Sequence, residues 1–138
     1  MSGFDYTGAR GSNAGDSFHE LWALRAALTL LDSESELRVV TVEGIRAEDA
    51  VGKPTEYWEG VDCGLYYGGG SIAEASSLEL VQLKYSASNP DQLWTVTNLI
   101  YNTAKRANNS VLARLGANYR NARESGAGPI HAGEMRAR

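Results

Sequence analysis

Leu78-Glu79-Leu80-Val81-Gln82-Leu83-Lys84-Tyr85 reads as a buried strand that carries an amide and an ammonium two residues apart. Side chains alternate across a strand, so Leu80, Gln82 and Lys84 share one face while Glu79, Val81 and Leu83 share the other. A lysine in the middle of an apolar strand is costly unless it has a partner or a task. Lys84 is therefore the first candidate for chemistry. An edge strand that uses Lys84 to discourage aggregation accounts for the same residues.

A second strand, Val61-Asp62-Cys63-Gly64-Leu65-Tyr66-Tyr67, follows a turn-rich stretch (Gly52, Pro54, Gly60) and precedes Gly68-Gly69-Gly70. Val61, Cys63, Leu65 and Tyr67 make one apolar face, and Asp62, Gly64 and Tyr66 the other. If the two strands pair as neighbours, Asp62, Gln82 and Lys84 converge. One carboxylate, one amide oxygen and one ammonium on a shared face suit an oxygen-ligated divalent cation beside a phosphate. Taken singly, Asp62 also fits a strand-start carboxylate that satisfies loop amides, and Gln82 fits a solvated position on a half-exposed sheet.

Working outward, residues 37–43 (Leu-Arg-Val-Val-Thr-Val-Glu) are rich in β-branched side chains and predict a first strand. The segment 44–60 is an acidic, irregular connection. Residues 1–15, rich in Gly, Ser and Asn, read as a flexible lead-in. Ser17-Phe18-His19-Glu20 matches a capping box that opens a helix over about 17–31, with Phe18, Leu21, Trp22, Leu24, Leu28 and Leu31 as its apolar stripe. Asn89 and Pro90 start a helix over about 90–107, and Asn109 or Ser110 caps another over about 110–123. The segment 124–138 shows no periodicity and reads as a disordered tail. Helix, three strands with short links, then two helices predict an α+β layer structure: a three-stranded antiparallel meander (about 37–43, 61–67 and 78–85) covered by helices.

With 138 residues, 43% hydrophobic and 22% charged, the chain has the composition of one soluble domain. No apolar run approaches the ~20 residues of a membrane span. The start of the chain has no apolar signal core, and the single Cys63 has no internal disulfide partner, so the expected compartment is cytoplasmic. The net charge of −4 hides an asymmetry: residues 1–100 carry 6 Lys/Arg against 15 Asp/Glu, and residues 101–138 carry 7 against 2. A basic end on an acidic body suits a polyanion, and it equally suits ordinary solvated helices. Gly68-Gly69-Gly70-Ser71 lacks the Lys-Ser/Thr of a phosphate loop, and His19-Glu20 lacks the second histidine of a zinc-protease helix.

The order helix–strand–strand–strand–helix, with Asp62 on the second strand and Gln82-x-Lys84 on the third, resembles the restriction-endonuclease-like PD-(D/E)XK superfamily. More narrowly, it is similar to the nuclease effector domains of bacterial anti-phage defence proteins (CBASS systems and Avs-type STAND NTPases), which carry an Asp…Gln-x-Lys variant. The entry Gly11-Ser12-Asn13-Ala14-Gly15-Asp16-Ser17-Phe18-His19-Glu20-Leu21-Trp22 resembles the first helix of such domains, and the likeness spans roughly residues 8–123. It implies a metal-dependent endonuclease that hydrolyses DNA phosphodiester bonds with Mg²⁺ (or Mn²⁺). Asp62 would be the principal metal ligand, Gln82 would hold the second acidic position, and Lys84 would act on the attacking water and the transition state. Glu20 would complete the metal shell, with Glu43 a further ligand and Asp49 the runner-up for Asp62. Arg106, Arg114, Arg120 and Arg123 would hold the DNA backbone.

Two departures qualify the likeness. An amide at position 82 brings no negative charge. The tail also offers no convincing fourth core strand, which predicts that residues 16–123 are an N-terminal fragment without its C-terminal sensor or NTPase module. An exposed strand edge then predicts a homo-oligomer. Two rival readings follow: a catalytically degenerate nuclease-fold module that binds nucleic acid or a partner protein, and an assembly domain anchored by Trp58, Tyr66, Tyr67 and Trp94.

Overall fold

Four strands form one mixed sheet in the order β1-β2-β3-β4 in a computed structural model that describes residues 7–84, 93, 95–102 and 109–136. β1 (Leu37–Val42), β2 (Cys63–Tyr67) and β3 (Ser77–Lys84) make the expected antiparallel meander. Val40 pairs with Leu65 across β1 and β2, and Cys63 pairs with Val81 across β2 and β3.

The fourth strand is present, which corrects the expectation of a pared-down sheet and a disordered tail. β4 (Ile130–Arg136) runs parallel to β3, from Leu78 opposite Ile130 to Lys84 opposite Arg136. Leu78 N–H donates to the Pro129 carbonyl at 3.0 Å just before the pairing begins. Ile130-His131-Ala132-Gly133 has little alternation and little β-branching, so nothing local announces a strand. The unpaired backbone groups along β3 supply the reason for it, since buried N–H and C=O groups must find partners. The same pairing covers the β3 edge that a missing strand would have left open to a second copy.

The core lies on both sides of the sheet. On one side Tyr66, Leu78 and Leu80 pack with Trp58, Val61, Ile72 and Ala122 of α4 (Val111–Glu124). On the other, Cys63, Leu65, Val81 and Leu83 pack with Leu37 and with Ala23 of α1 (Thr7–Ala27). Each fully buried aliphatic side chain contributes about 1.5–3 kcal/mol of transfer free energy. Val61 leaves the face predicted for it because β2 begins only at Cys63.

α1 starts ten residues before the expected cap, so most of the predicted lead-in is helical and Ser17 lies within a turn. Extending an established helix fixes one residue per added hydrogen bond and avoids the cost of nucleation, which lets Gly8, Gly11 and Gly15 be carried along. A 3-10 turn, Leu28–Leu31, completes the segment. Its sheet side is Phe18, Trp22, Ala23 and Ala26, whereas Leu21, Leu24, Leu28 and Leu31 are exposed. The small residues, not the leucines, let α1 approach the sheet.

Between β1 and β2 lie a single helical turn, α2 (Ala47–Ala50), and a 3-10 turn, Thr55–Trp58. Of the helix expected over 90–107, the described residues show α3 (Val96–Ile100), capped by Thr95 through a reciprocal pair with Asn98; Asn89 and Pro90 lie outside the described residues. Of the two expected caps, Ser110 is the one that caps α4, its Oγ accepting from Ala113 N–H at 3.2 Å. Among the described residues, no helix is long and apolar enough to cross a membrane.

Candidate metal centre

Asp62 is fixed from three directions at the start of β2. Its N–H donates to the Val81 carbonyl at 2.9 Å, and its own carbonyl accepts from Glu43 N–H at 2.6 Å. Its Oδ2 accepts a short hydrogen bond from Leu83 N–H, so the carboxylate takes a ladder position that a backbone carbonyl would otherwise fill. The carboxyl is only 16% exposed. Burial pushes its pKa above the ordinary aspartate value, opposed by the Leu83 N–H and then by the positive charges of His19 and Lys84; Glu43 adds to the rise.

Two further side chains meet it there. His19 comes from α1, with Nδ1 2.8 Å from Glu43 Oε1 and Nε2 4.0 Å from Asp62 Oδ2. Glu43 follows β1 with φ of +55°, a left-handed backbone that costs a non-glycine residue roughly 1–2 kcal/mol. Such strain concentrates where a side chain must be aimed. Gly44, at φ +123°, completes the bend.

His19, Glu43 and Asp62 each present a ligand atom, and these atoms lie within 4.8 Å of one another. Bonds of about 2.0–2.2 Å span up to roughly 4.4 Å between opposite ligands. A nitrogen and two carboxylates at this spacing suit one divalent cation, with Glu43 placed either to ligate it or to hold the His19 ring.

The other predicted residues divide. Lys84 is half-buried and close enough for its charge to act on Asp62. Gln82 is 1% exposed and lies between Val81 and Leu83, which face α1, so its side chain points to the α4 side. Its Nε2 is 3.3 Å from where a Cβ on Gly60 would sit, next to the Arg114 side chain, and its buried Oε1 has no hydrogen-bond partner among the described residues. The Lys84 charge thus reaches Asp62, while the described contacts of Gln82 are with Gly60 and Arg114. Gly60 (φ +88°) is what allows this packing, since a Cβ there would crowd both Gln82 and Arg114.

Glu20 is exposed and lines a separate groove of about 280 Å³ with Ala23, Leu24, Val40 and Val42. His19, one residue earlier, takes the place expected of it. The helical repeat explains the exchange: His19 stands four residues before buried Ala23 and three before Trp22, on the sheet side of α1. That spacing was the available signal, masked by reading the leucines as the buried stripe. Asp49 is structural, with both carboxylate oxygens accepting from Ile72 N–H at 3.1 and 3.2 Å. Cys63 is wholly buried and its thiol is pushed up to about 12, so it is unreactive.

Among the arginines, Arg120 and Arg123 are exposed on α4, whereas Arg114 is drawn inward with its Nε buried and without a hydrogen-bond partner among the described residues. Arg106 lies outside the described residues. Trp58 and Tyr66 belong to the core, and Trp94 lies outside the described residues, so the assembly reading keeps only half-buried Tyr67 of its four anchors.

A cleft of about 430 Å³ opens from the centre; Glu43 and Asp62 stand in its wall, with Ile45, Lys53, Trp58 and Gly60. Lys53 Nζ sits 4.7 Å over the Tyr57 ring. In comparisons with known proteins, the chain matches no family model, no curated protein and no solved structure.

Proposed function

We propose that this chain is a metal-dependent endonuclease that hydrolyses DNA phosphodiester bonds. The observation that carries this reading is the meeting of Asp62, Glu43 and His19 around one cation-sized space, with the Lys84 ammonium acting on the same carboxylate. The sheet supports it further: an antiparallel meander followed by a helix and a fourth strand is the order that the sequence resemblance implies.

A divalent cation bound here supplies positive charge to the phosphate's non-bridging oxygens and makes water a better nucleophile at neutral pH. Asp62 supplies the fixed anionic anchor, held still by the Leu83 N–H. Lys84 supplies preorganised positive charge beside the reacting phosphate, a contribution of about 3–4 kcal/mol for a well-placed group. Lys53, in the wall of the cleft, offers a second cation to a neighbouring phosphate. Arg120 and Arg123 contact backbone without reading sequence. A role as an anti-phage effector rests on the sequence resemblance.

The test is nicking of supercoiled plasmid with Mg²⁺ or Mn²⁺. Asp62→Asn and Lys84→Ala are expected to lose at least about 100-fold in rate. Equal rates in wild type and Lys84→Ala would remove Lys84 from the chemistry. One observation favours a second reading, a nuclease-fold module that binds without cutting: the residue at the second acidic position is a buried amide, which brings no negative charge to a cation. Wild type that never nicks but binds duplex DNA with a steep salt dependence would select it.

A further inference from the structure

The hydrogen bonding around His19 constrains which cation the centre takes. Glu43 is a carboxylate and accepts only, so at 2.8 Å the proton of that contact belongs to His19 Nδ1. A histidine binds a cation through a deprotonated ring nitrogen, and with Nδ1 held by Glu43 the nitrogen left to bind is Nε2, 4.0 Å from Asp62 Oδ2. A cation between these two atoms would take the place that a ring proton fills in its absence. The separation is close to two metal–ligand bonds of about 2.0–2.1 Å each. A carboxylate that holds one ring nitrogen while the other faces a ligand oxygen is the arrangement that orients metal-bound histidines and raises their basicity.

We propose that the centre selects a nitrogen-accepting first-row cation, Mn²⁺ or a heavier ion of that row, over Mg²⁺, with His19 Nε2 and Asp62 as direct ligands and Glu43 as the residue that orients the ring. Mg²⁺ prefers oxygen donors and sheds its water reluctantly, whereas imidazole favours the transition ions. The proposal deepens the nuclease reading at the same site, but it concerns binding alone.

The experiment therefore uses the metals without nucleic acid. Calorimetric titration of the whole chain with Mn²⁺ and with Mg²⁺ is expected to show at least about tenfold tighter Mn²⁺ binding. His19→Ala should abolish that preference. Glu43→Gln should weaken Mn²⁺ binding by about 10–100-fold. Pulsed EPR of the Mn²⁺-loaded protein should detect a coordinated nitrogen that His19→Gln lacks, and circular dichroism in metal-free buffer confirms that each variant is folded. Equal affinity for the two ions, a preference that survives His19→Ala, no bound ion, or no coordinated nitrogen would each overturn the proposal. Tight, nitrogen-coordinated Mn²⁺ in a protein that never cuts DNA would uphold it and sink only the nuclease reading.

Discussion

At the scale of single residues, Asp62 sets the terms. Burial lifts its carboxyl above the unfolded value, so the folded protein binds that proton more readily than the unfolded chain does. The favourable contribution is complete below the ordinary aspartate range and is lost as pH rises through the raised folded value. Urea unfolding in cation-free buffer should accordingly show wild type gaining on Asp62→Asn as pH falls through that window. Asparagine keeps an acceptor for Leu83 N–H, so a difference independent of pH would mean that the carboxylate is not penalised. Gln82 makes the opposite case. Gln82→Met keeps the length and removes an amide whose Oε1 is unpartnered. Stability should change by less than about 1.5 kcal/mol, as for a volume-conserving core exchange, and Mn²⁺ affinity should be unchanged. A tenfold loss of affinity would restore Gln82 as a ligand.

At the scale of elements, much was legible. The meander strands stand within two residues of their predicted ends because alternation and β-branching are strong local signals over 37–43, 61–67 and 78–85. Ser110 was legible for the same local reason, and its effect is measurable. Ser110→Ala leaves Ala113 N–H without its acceptor and should cost about 1 kcal/mol, lowering the melting temperature by roughly 2–5 °C. An unchanged melt would show that solvent or a neighbour replaces the cap. What the sequence concealed depended on distant partners. The sheet side of α1 is made by Phe18, Trp22, Ala23 and Ala26, whereas the leucines that invited burial are exposed, and this hid His19 behind Glu20. Asp62 was visible as an acid on a strand. The aim of Glu43 came from a backbone twist that no local pattern announces.

For the molecule as a whole, β4 is the closing piece. Its seven residues pair along β3 from Leu78 to Lys84, so they complete the hydrogen bonding of a strand whose apolar side chains fill both cores. A chain ended after Gly128 should lose more than about 3 kcal/mol, roughly 10 °C in melting temperature, or fail to melt cooperatively. A truncated chain with the wild-type melt would make β4 dispensable. The direction of β4 matters as much as its presence. Because it runs parallel to β3, Arg136 stands beside Lys84. Any polypeptide joined downstream leaves the sheet at the end where Lys84 and Asp62 lie. A purification handle fused there would therefore begin on the Lys84 side of the sheet.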